Sequence, residues 1–143
     1  MLTKLERLIN DLKQQDVDQA DLAGERLSCN DSKELACAIK ENDILKKLVL
    51  GGIVVGCELG DDGVKNVASV LAENQQLNYL DLRTNQIGNK GATALASALQ
   101  NNQNLKVLDL RSNPITHQAR ALFDSVPSSQ SGELQIFFDD ASL

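Results

Sequence analysis

Groups that usually carry catalysis or bind metals are scarce in this sequence. One histidine, His117, occurs among 143 residues, and the cysteines Cys29, Cys37 and Cys57 form no C-x-x-C pair. Neither a zinc site nor a disulfide framework is expected from such a set. His117 follows Thr116, a predicted helix N-cap, and is interpreted as a surface residue at a helix start. Cys37 and Cys57 are predicted to be small, partly buried residues of a reduced, cytosolic protein.

A phosphate-binding loop is also missing. Gly51, Gly52 and Gly56 lack the spacing of a dinucleotide fingerprint, and no Lys-Ser/Thr pair follows them. No nucleophile stands in a pattern that pairs it with a base. The adjacent acids Asp61 and Asp62 precede a predicted helix, where the positive end of the helix dipole explains them. We therefore expect no enzyme activity, cofactor, metal or small-molecule substrate.

Long apolar runs and basic stripes are absent as well. No stretch approaches the ~18 apolar residues of a membrane span, and residues 1–15 lack the apolar core of a signal peptide. The 14 lysines and arginines are scattered, and the formal net charge is −6. Because nucleic-acid-binding proteins usually carry a basic stripe, nucleic acid is not expected, and a partner with a cationic surface is favoured. We expect a cytoplasmic monomer that does not bind membranes.

What the sequence does contain is a leucine pattern that occurs four times. The two clearest copies, Leu77–Ile87 and Leu105–Ile115, fit L-x-x-L-x-L-x-x-N-x-L. The four copies begin at Val17, Leu45, Leu77 and Leu105, at intervals of 28, 32 and 28 residues. Self-similarity at this period is typical of a solenoid, in which each unit packs only on its neighbours.

Each unit is predicted to contain a strand and then a helix. Leu80 and Leu82 alternate with polar residues, as in a short strand with one buried face. Asn85 follows where the strand turns away, and its amide can bond to neighbouring backbone groups. Small and apolar residues then recur at helical spacing through 91–100.

Equivalent positions in the other helices support the same interpretation. Gly63, Gly91 and Ala119 align and predict close packing of each helix on its strand. In the last unit the residues predicted to face inward are Ala119, Leu122, Phe123 and Val126.

The first two units depart from the pattern. The second has four extra residues after Leu50, and alignment from its end places Cys57 in the asparagine position. The first has Glu25 at that position. The segment 51–56 is apolar, so Ile53, Val54 and Val55 either form an exposed patch or fill a bulge beside Leu50 and Leu80.

Atypical segments are predicted at both ends. Thr3 and Glu6 form a capping box, and the helix that they begin either covers the first repeat or binds a membrane surface or a partner; the first alternative is favoured. The apolar residues of this helix are Leu2, Leu5, Leu8, Ile9 and Leu12.

A final strand is predicted at the C-terminal end. After Pro127, residues 128–132 form a polar turn, and 133–139 form the strand. In that strand Leu134, Ile136 and Phe138 face inward and Phe137 outward. The strand either closes a complete small protein, which we favour, or marks a fragment of a longer array.

The 28-residue unit with a long helix resembles the ribonuclease-inhibitor type of leucine-rich repeat, which also occurs in NOD-like receptors and in the GTPase-activating protein of the Ran cycle. The resemblance covers roughly residues 17–126. It implies an α/β leucine-rich repeat solenoid, a curved right-handed stack with parallel strands inside and helices outside. The predicted organisation of this single domain is an N-terminal helical cap, 1–16; repeats 17–44, 45–76, 77–104 and 105–132; and a C-terminal strand cap, 133–143.

Residues between the strand leucines are predicted to face the concave side. These are Gln19, Asp21, Ala23, Lys47, Val49, Tyr79, Asp81, Arg83, Val107, Asp109 and Arg111. If the register holds, Asp81 lies beside Asp109 and Arg83 beside Arg111. The row is then either a self-neutralising ladder or a polar track for a partner, with Tyr79 as an aromatic anchor. The residues proposed to contact a partner are Lys47, Val49, Ile53, Val54, Tyr79, Asp81, Arg83, Val107, Asp109 and Arg111.

The leading functional hypothesis is a non-enzymatic protein–protein interaction module that binds through the concave face and the 51–56 loop. One alternative is a regulator of a small GTPase or other enzyme. Another is an exported bacterial effector that acts on a host protein, since the short acidic tail ending in Leu143 is compatible with a C-terminal export signal.

Overall fold

Strands and helices alternate along the chain in a computed structural model that describes residues 1–127 and 134–139. In order, the elements are α1 (Lys4–Lys13), β1 (Gln19–Asp21), α2 (Cys29–Lys40), β2 (Lys47–Val49), α3 (Gly60–Glu73), β3 (Tyr79–Asp81), α4 (Asn89–Leu99), β4 (Val107–Asp109), α5 (His117–Arg120), a 3₁₀ helix (Ala121–Ser125) and β5 (Gln135–Phe137). The predicted turn at 128–132, the start of the predicted last strand at Glu133 and the tail after Asp139 lie outside the described residues.

The five strands form one parallel sheet in chain order. Their central residues pair across the sheet in a single row of Ala20, Leu48, Leu80, Leu108 and Ile136. The first four occupy the same position in each predicted unit, so the register deduced from the repeats is confirmed. Successive helices pack against one another on the side of the sheet that these residues face.

The core is a continuous stack of aliphatic rows shared by neighbouring units. The leucines at the start, middle and end of each pattern are buried in every unit from the second onward: Leu45, Leu48, Leu50, Leu77, Leu80, Leu82, Leu105, Leu108 and Leu110. Helical residues such as Leu71 and Leu99 close the other side and are also fully buried. Burial of each such side chain contributes ~1.5–3 kcal/mol of transfer free energy.

The N-terminal helix begins where the sequence predicts. Thr3 and Glu6 form the reciprocal capping box, and Ile9 and Leu12 are buried where α1 packs on α2. The helix therefore uses its apolar face within the fold, as a cover over the first repeat. Leu2, which precedes the cap residue, remains half exposed.

The predicted asparagine position bonds to the unit before it. The Asn85 Nδ2 donates to the Leu50 carbonyl at 2.9 Å, and its Oδ1 accepts from the Cys57 and Leu59 backbone amides at 2.9 and 3.2 Å. Asn113 repeats this arrangement one unit later, donating to the Leu82 carbonyl at 2.9 Å. These bonds satisfy backbone groups at the bends, where no regular ladder is available.

A second asparagine series lies at the opposite end of the strands and was not predicted. Asn42, Asn74 and Asn102 are buried, each three residues before the first leucine of a unit. The Asn102 Nδ2 donates to the Leu71 carbonyl at 2.8 Å, while its Oδ1 accepts from the Leu105 amide at 2.8 Å. The signal was present as a recurrent Asn-x-x-Leu spacing, which repeats with the period of the units.

Gly91 packs closely on the preceding helix, which the predicted helix-on-strand packing did not include. A Cβ at Gly91 would lie within 2.6 Å of Val64 Cγ1 and 2.7 Å of Asp61 Oδ1, both on the preceding helix. Asp61 Oδ1 also accepts the Gly88 and Gly91 amides at 2.7 and 2.9 Å. The small residue thus permits close approach of α4 to α3, and Asp61 caps the helix after its own.

The last unit is shortened. Thr116 caps α5 as predicted, but the α-helix changes after Arg120 to a 3₁₀ helix. The tighter winding moves Leu122 out of the predicted inward stripe, and this side chain is 41 % exposed. Phe123 remains buried and meets the Phe138 ring edge-on at 5.5 Å.

No helix of the described residues is both long and apolar enough to span a bilayer; the longest, α3, has 14 residues.

The Leu82→Ala substitution should destabilise the protein by about 2–5 kcal/mol, because Leu82 is fully buried between units and its removal leaves a cavity. The matched control is Leu122→Ala at an exposed position, where a loss below about 1 kcal/mol is expected. Urea denaturation followed by circular dichroism measures both. Equal losses in the two variants would contradict the assigned register.

Replacing Asn102 by Ala should cost about 1–3 kcal/mol, because buried backbone groups at residues 71 and 105 lose their partner. Asn101→Ala, on the adjacent exposed residue, is the control and should change the unfolding midpoint little. A loss at Asn101 as large as that at Asn102 would refute a specific role for the second asparagine series.

Candidate functional site

The concave face consists of the strand residues that point away from the helices. Pairing of the strands arranges them in two rows: Gln19, Lys47, Tyr79, Val107 and Gln135, and Asp21, Val49, Asp81, Asp109 and Phe137. Arg83 and Arg111 follow two residues after the aspartates. Asp81 and Asp109 are paired across β3 and β4, as the sequence predicts.

Asp81 is enclosed by its own arginine. Its carboxylate accepts from the Arg83 backbone amide at 3.0 Å, from Nε at 3.1 Å to each oxygen, and from Nη2 at 2.7 Å. Only 2 % of Asp81 is exposed, whereas 25 % of the Arg83 side chain is. The hydrogen bond to Asp81 raises the pKa of the Arg83 guanidinium above its usual range. The guanidinium is therefore held in one orientation and stays charged.

Asp109 and Arg111 repeat the pair one strand later. Arg111 donates to Asp109 from Nε at 3.0 Å and from Nη2 at 2.7 Å, and this hydrogen bond likewise raises the Arg111 pKa. Arg83 Nε also lies 3.5 Å from Asp109 Oδ2, which links the two units. Asp109 is 3 % exposed. Asp81 and Asp109 are thus almost fully buried, and each holds an arginine side chain in position.

The polar pairs are confined to these two strands. Asp21 is exposed, and alanine stands at position 23 where the later units have arginine. Within residues 1–127 and 134–139, its carboxylate accepts only the Ala23 amide, at 2.9 Å. Val49 interrupts the aspartate row in β2. The predicted ladder therefore does not extend across the whole sheet.

Aromatic rings flank the arginine pairs. Lys47 Nζ lies 4.7 Å above the Tyr79 ring centroid, and the Arg111 guanidinium lies 5.6 Å from the Phe137 ring. Tyr79 and Val107 are half-buried, and Phe137 is 41 % exposed on this face, as predicted for an outward residue. Cation–π contacts of this kind orient the charged groups without removing their hydrogen-bonding capacity.

The inserted segment is an exposed loop. Ile53 and Val54 are 85 % and 81 % exposed, and Val55 is 51 % exposed. The alternative that these residues fill a bulge beside Leu50 and Leu80 is thereby excluded.

Hydrogen bonds close the loop on itself and fasten it to the next unit. The Cys57 amide donates to the Leu50 carbonyl at 3.1 Å, and Thr84 Oγ1 donates to the Gly52 carbonyl at 2.7 Å. Thr84 has a φ of 57°, a left-handed conformation that is unusual for a β-branched residue. The loop bond thus accompanies local backbone strain.

Glycine is required at both ends of the loop. A Cβ at Gly51 would overlap the Arg83 backbone nitrogen, and one at Gly56 would overlap the Thr84 carbonyl oxygen. This close approach places the base of the loop directly against the Asp81–Arg83 pair. The two surfaces proposed from the sequence therefore adjoin one another.

One cleft borders the loop, and a larger one lies elsewhere on the molecule. One, of about 310 Å³, lies beside the loop and is lined by residues that include Val54, Val55, Thr84 and Pro114. The sequence did not predict it, because it forms between bends of three successive units. The larger, of about 570 Å³, lies between α1 and α2, away from the concave face.

The cysteines have different environments. Cys57 is fully buried, and its thiol donates to the Leu22 carbonyl at 3.0 Å; burial raises its pKa to about 12. Cys29 and Cys37 are exposed. The prediction of a partly buried Cys37 is wrong, because its side chain points away from the face of α2 that packs inward. Residues 1–127 and 134–139 contain no cluster of three or more His, Cys, Asp or Glu side chains suited to a metal ion.

Comparison with known proteins agrees with this geometry. The Leucine Rich repeat family profile matches residues 73–96 and 101–117. The two matched segments lie in the third and fourth repeats, and the fold is an α/β leucine-rich repeat solenoid. No curated protein sequence matches it significantly.

Two solved structures share the architecture over nearly the whole chain. One is leiomodin-1 Actin-Binding Site 2, with a TM-score of 0.80, 15 % identity, and coverage of 99 % of this chain and 82 % of the other. The second is the Caenorhabditis elegans tropomodulin C-terminal domain, with a TM-score of 0.78, 15 % identity, and coverage of 99 % and 86 %. At this identity the likeness concerns the fold.

A thiol-reactive reagent at neutral pH should modify Cys29 and Cys37 rapidly and Cys57 only after unfolding, because Cys57 is buried and its pKa is raised. The Cys57→Ala variant should show the same rapid phase and lack the slow one. Three rapidly reacting thiols in the native protein would contradict the burial of Cys57.

The raised pKa of Cys57 also predicts a pH dependence of stability. Between pH 9.0 and about 12 the folded state retains a thiol proton that the unfolded state loses, so the free energy of unfolding should fall as pH rises through this range.

Proposed function

We propose that this chain is a protein–protein interaction module that binds its partner through the concave face and the adjoining 51–56 loop. The observation that carries the proposal is the loop itself. It presents three consecutive aliphatic residues, Ile53, Val54 and Val55, to solvent on a loop whose ends are held by hydrogen bonds. An exposed apolar cluster beside polar groups is typical of a surface that another protein covers.

The anchored ends of the loop favour affinity. Association costs free energy when flexible segments must be ordered, and that cost is smaller where the bound shape already exists. Burial of one aliphatic side chain such as Ile53 contributes ~1.5–3 kcal/mol, so the tip supplies a substantial part of a moderate binding free energy.

The concave face supplies the polar part of the same surface. Arg83 is oriented by Asp81 and adjoins the base of the loop through Gly51. Tyr79 lies on the same strand as Asp81, and Arg111 follows the adjacent strand. Arginine and tyrosine are enriched among the residues that dominate binding energy. An apolar centre with adjacent oriented polar groups is the usual organisation of a protein interface.

The structural neighbours are consistent with a protein-interaction module but do not identify its partner. One of them is named Actin-Binding Site 2 of leiomodin-1. Actin is therefore a reasonable first partner to test, alongside an unbiased search.

The double variant Ile53→Ser/Val54→Ser should lose partner capture, because it removes the apolar tip while leaving the buried core unchanged. The tagged protein is incubated with lysates and, separately, with purified actin, and bound proteins are quantified by mass spectrometry. Wild type should retain at least one protein that the double variant retains about tenfold less, as expected for hot-spot residues.

The control is Leu2→Ser, which makes the same kind of change at a half-exposed residue before α1, away from the loop. It should capture the same proteins as wild type. Identical capture by wild type and the loop variant, with both folded by circular dichroism, would refute the assigned role of the loop.

A further inference from the structure

We propose that the occupant of the concave face is a short acidic segment of the partner protein. This inference rests on the proposed function and specifies the chemistry of the partner. It opposes the expectation from the net charge of −6, which favours a cationic partner.

The carboxylates of β3 and β4 have no remaining capacity to accept hydrogen bonds. A carboxylate offers about four lone-pair positions, and Asp81 already accepts four contacts from Arg83. Asp109 accepts three from Arg111 and is approached by Arg83 Nε. Both are almost fully buried. Lysine or arginine side chains of a partner would therefore find no available carboxylate on β3 and β4.

Donors, in contrast, remain available. Among contacts between described residues, Nη1 of Arg83, Nη1 of Arg111 and Nζ of Lys47 have no hydrogen-bond or salt-bridge partner. The side chains of Arg83 and Arg111 are 25 % and 48 % exposed. The middle of the sheet thus presents cationic donors, which are complementary to carboxylates.

The charge pattern limits the length of the occupant. Asp21 is an exposed carboxylate at one margin of the face, and Asp139 lies at the other, where it accepts the Ser112 amide at 2.8 Å. Three cationic groups are therefore enclosed between acidic margins on a chain of net charge −6. A long polyanion such as a nucleic acid would be repelled at both margins, whereas a short acidic peptide fits between them.

The flanking rings and loop provide the apolar contacts that such a segment also needs. Tyr79 and Phe137 lie beside Lys47 and Arg111, respectively. Residues between the acidic side chains of an extended segment can pack on these rings, while a neighbouring part of the partner covers Ile53.

The test uses the full chain and fluorescent synthetic peptides of equal length. One alternates glutamate with threonine, one alternates lysine with threonine, and a single-stranded oligonucleotide is the third probe. Fluorescence anisotropy should show that the glutamate peptide binds at least about tenfold more tightly than either other probe, and that its binding weakens with rising ionic strength.

Two variants remove the proposed donors. Asp109→Asn/Arg111→Gln takes away both charges of one pair and retains groups that can still bond to each other, so the core is not left with an unpaired carboxylate. Lys47→Gln removes one charge without any buried partner. Each variant should bind the glutamate peptide about three- to tenfold less tightly than wild type. Lys90→Gln, the same change on an exposed residue of α4, should leave its affinity unchanged.

Two results would overturn the proposal. One is tighter binding of the lysine peptide or of the oligonucleotide than of the glutamate peptide. The other is equal affinity of the donor variants and Lys90→Gln for the glutamate peptide. If no peptide binds but Ile53→Ser/Val54→Ser still loses its captured partner, the inference of an acidic segment is wrong, whereas the proposed interaction module remains supported. Binding of the glutamate peptide that depends on Lys47 supports the inference even if capture is insensitive to the loop.

Discussion

Packing of one leucine-lined unit on the next is the interaction on which this molecule depends. A three-residue strand and a short helix cannot bury an apolar face alone, so no unit is stable without its neighbours. The stack places Leu48, Leu80 and Leu108 in one buried row, and this register determines which residues lie on the opposite face of the sheet. The asparagines secure the stack at both ends of the strands, by accepting and donating bonds that the irregular backbone lacks.

Most of the fold could be predicted because periodicity reports burial directly. Leucine spacing located four strands, Thr3 and Thr116 located helix starts, and Asn85 located a bend. What failed depended on contacts between units. Gly91 faces the preceding helix, and Leu122 turned outward when α5 changed to a 3₁₀ helix; neither follows from spacing within one unit.

The candidate surface could be predicted as a set of positions but not as chemistry. Alternation placed Asp81 and Arg83 on the same face. It could not show that Arg83 binds the buried Asp81 through Nε and Nη2, or that Nη1 has no partner among the described residues. Net charge counts buried and exposed groups equally, so it does not report which charges the concave face presents. The exposure of Ile53 depended on how Gly51 and Gly56 approach the next unit.

The closure of the loop has a consequence for how this surface can change. Because the Cys57 amide bonds to the Leu50 carbonyl, the chain leaves and re-enters the second unit at nearly one point. The strands on either side keep their pairing despite the four additional residues. Segments of other lengths and compositions can therefore be inserted between these two anchors without disturbing the strand pairing, so the surface can be altered separately from the scaffold.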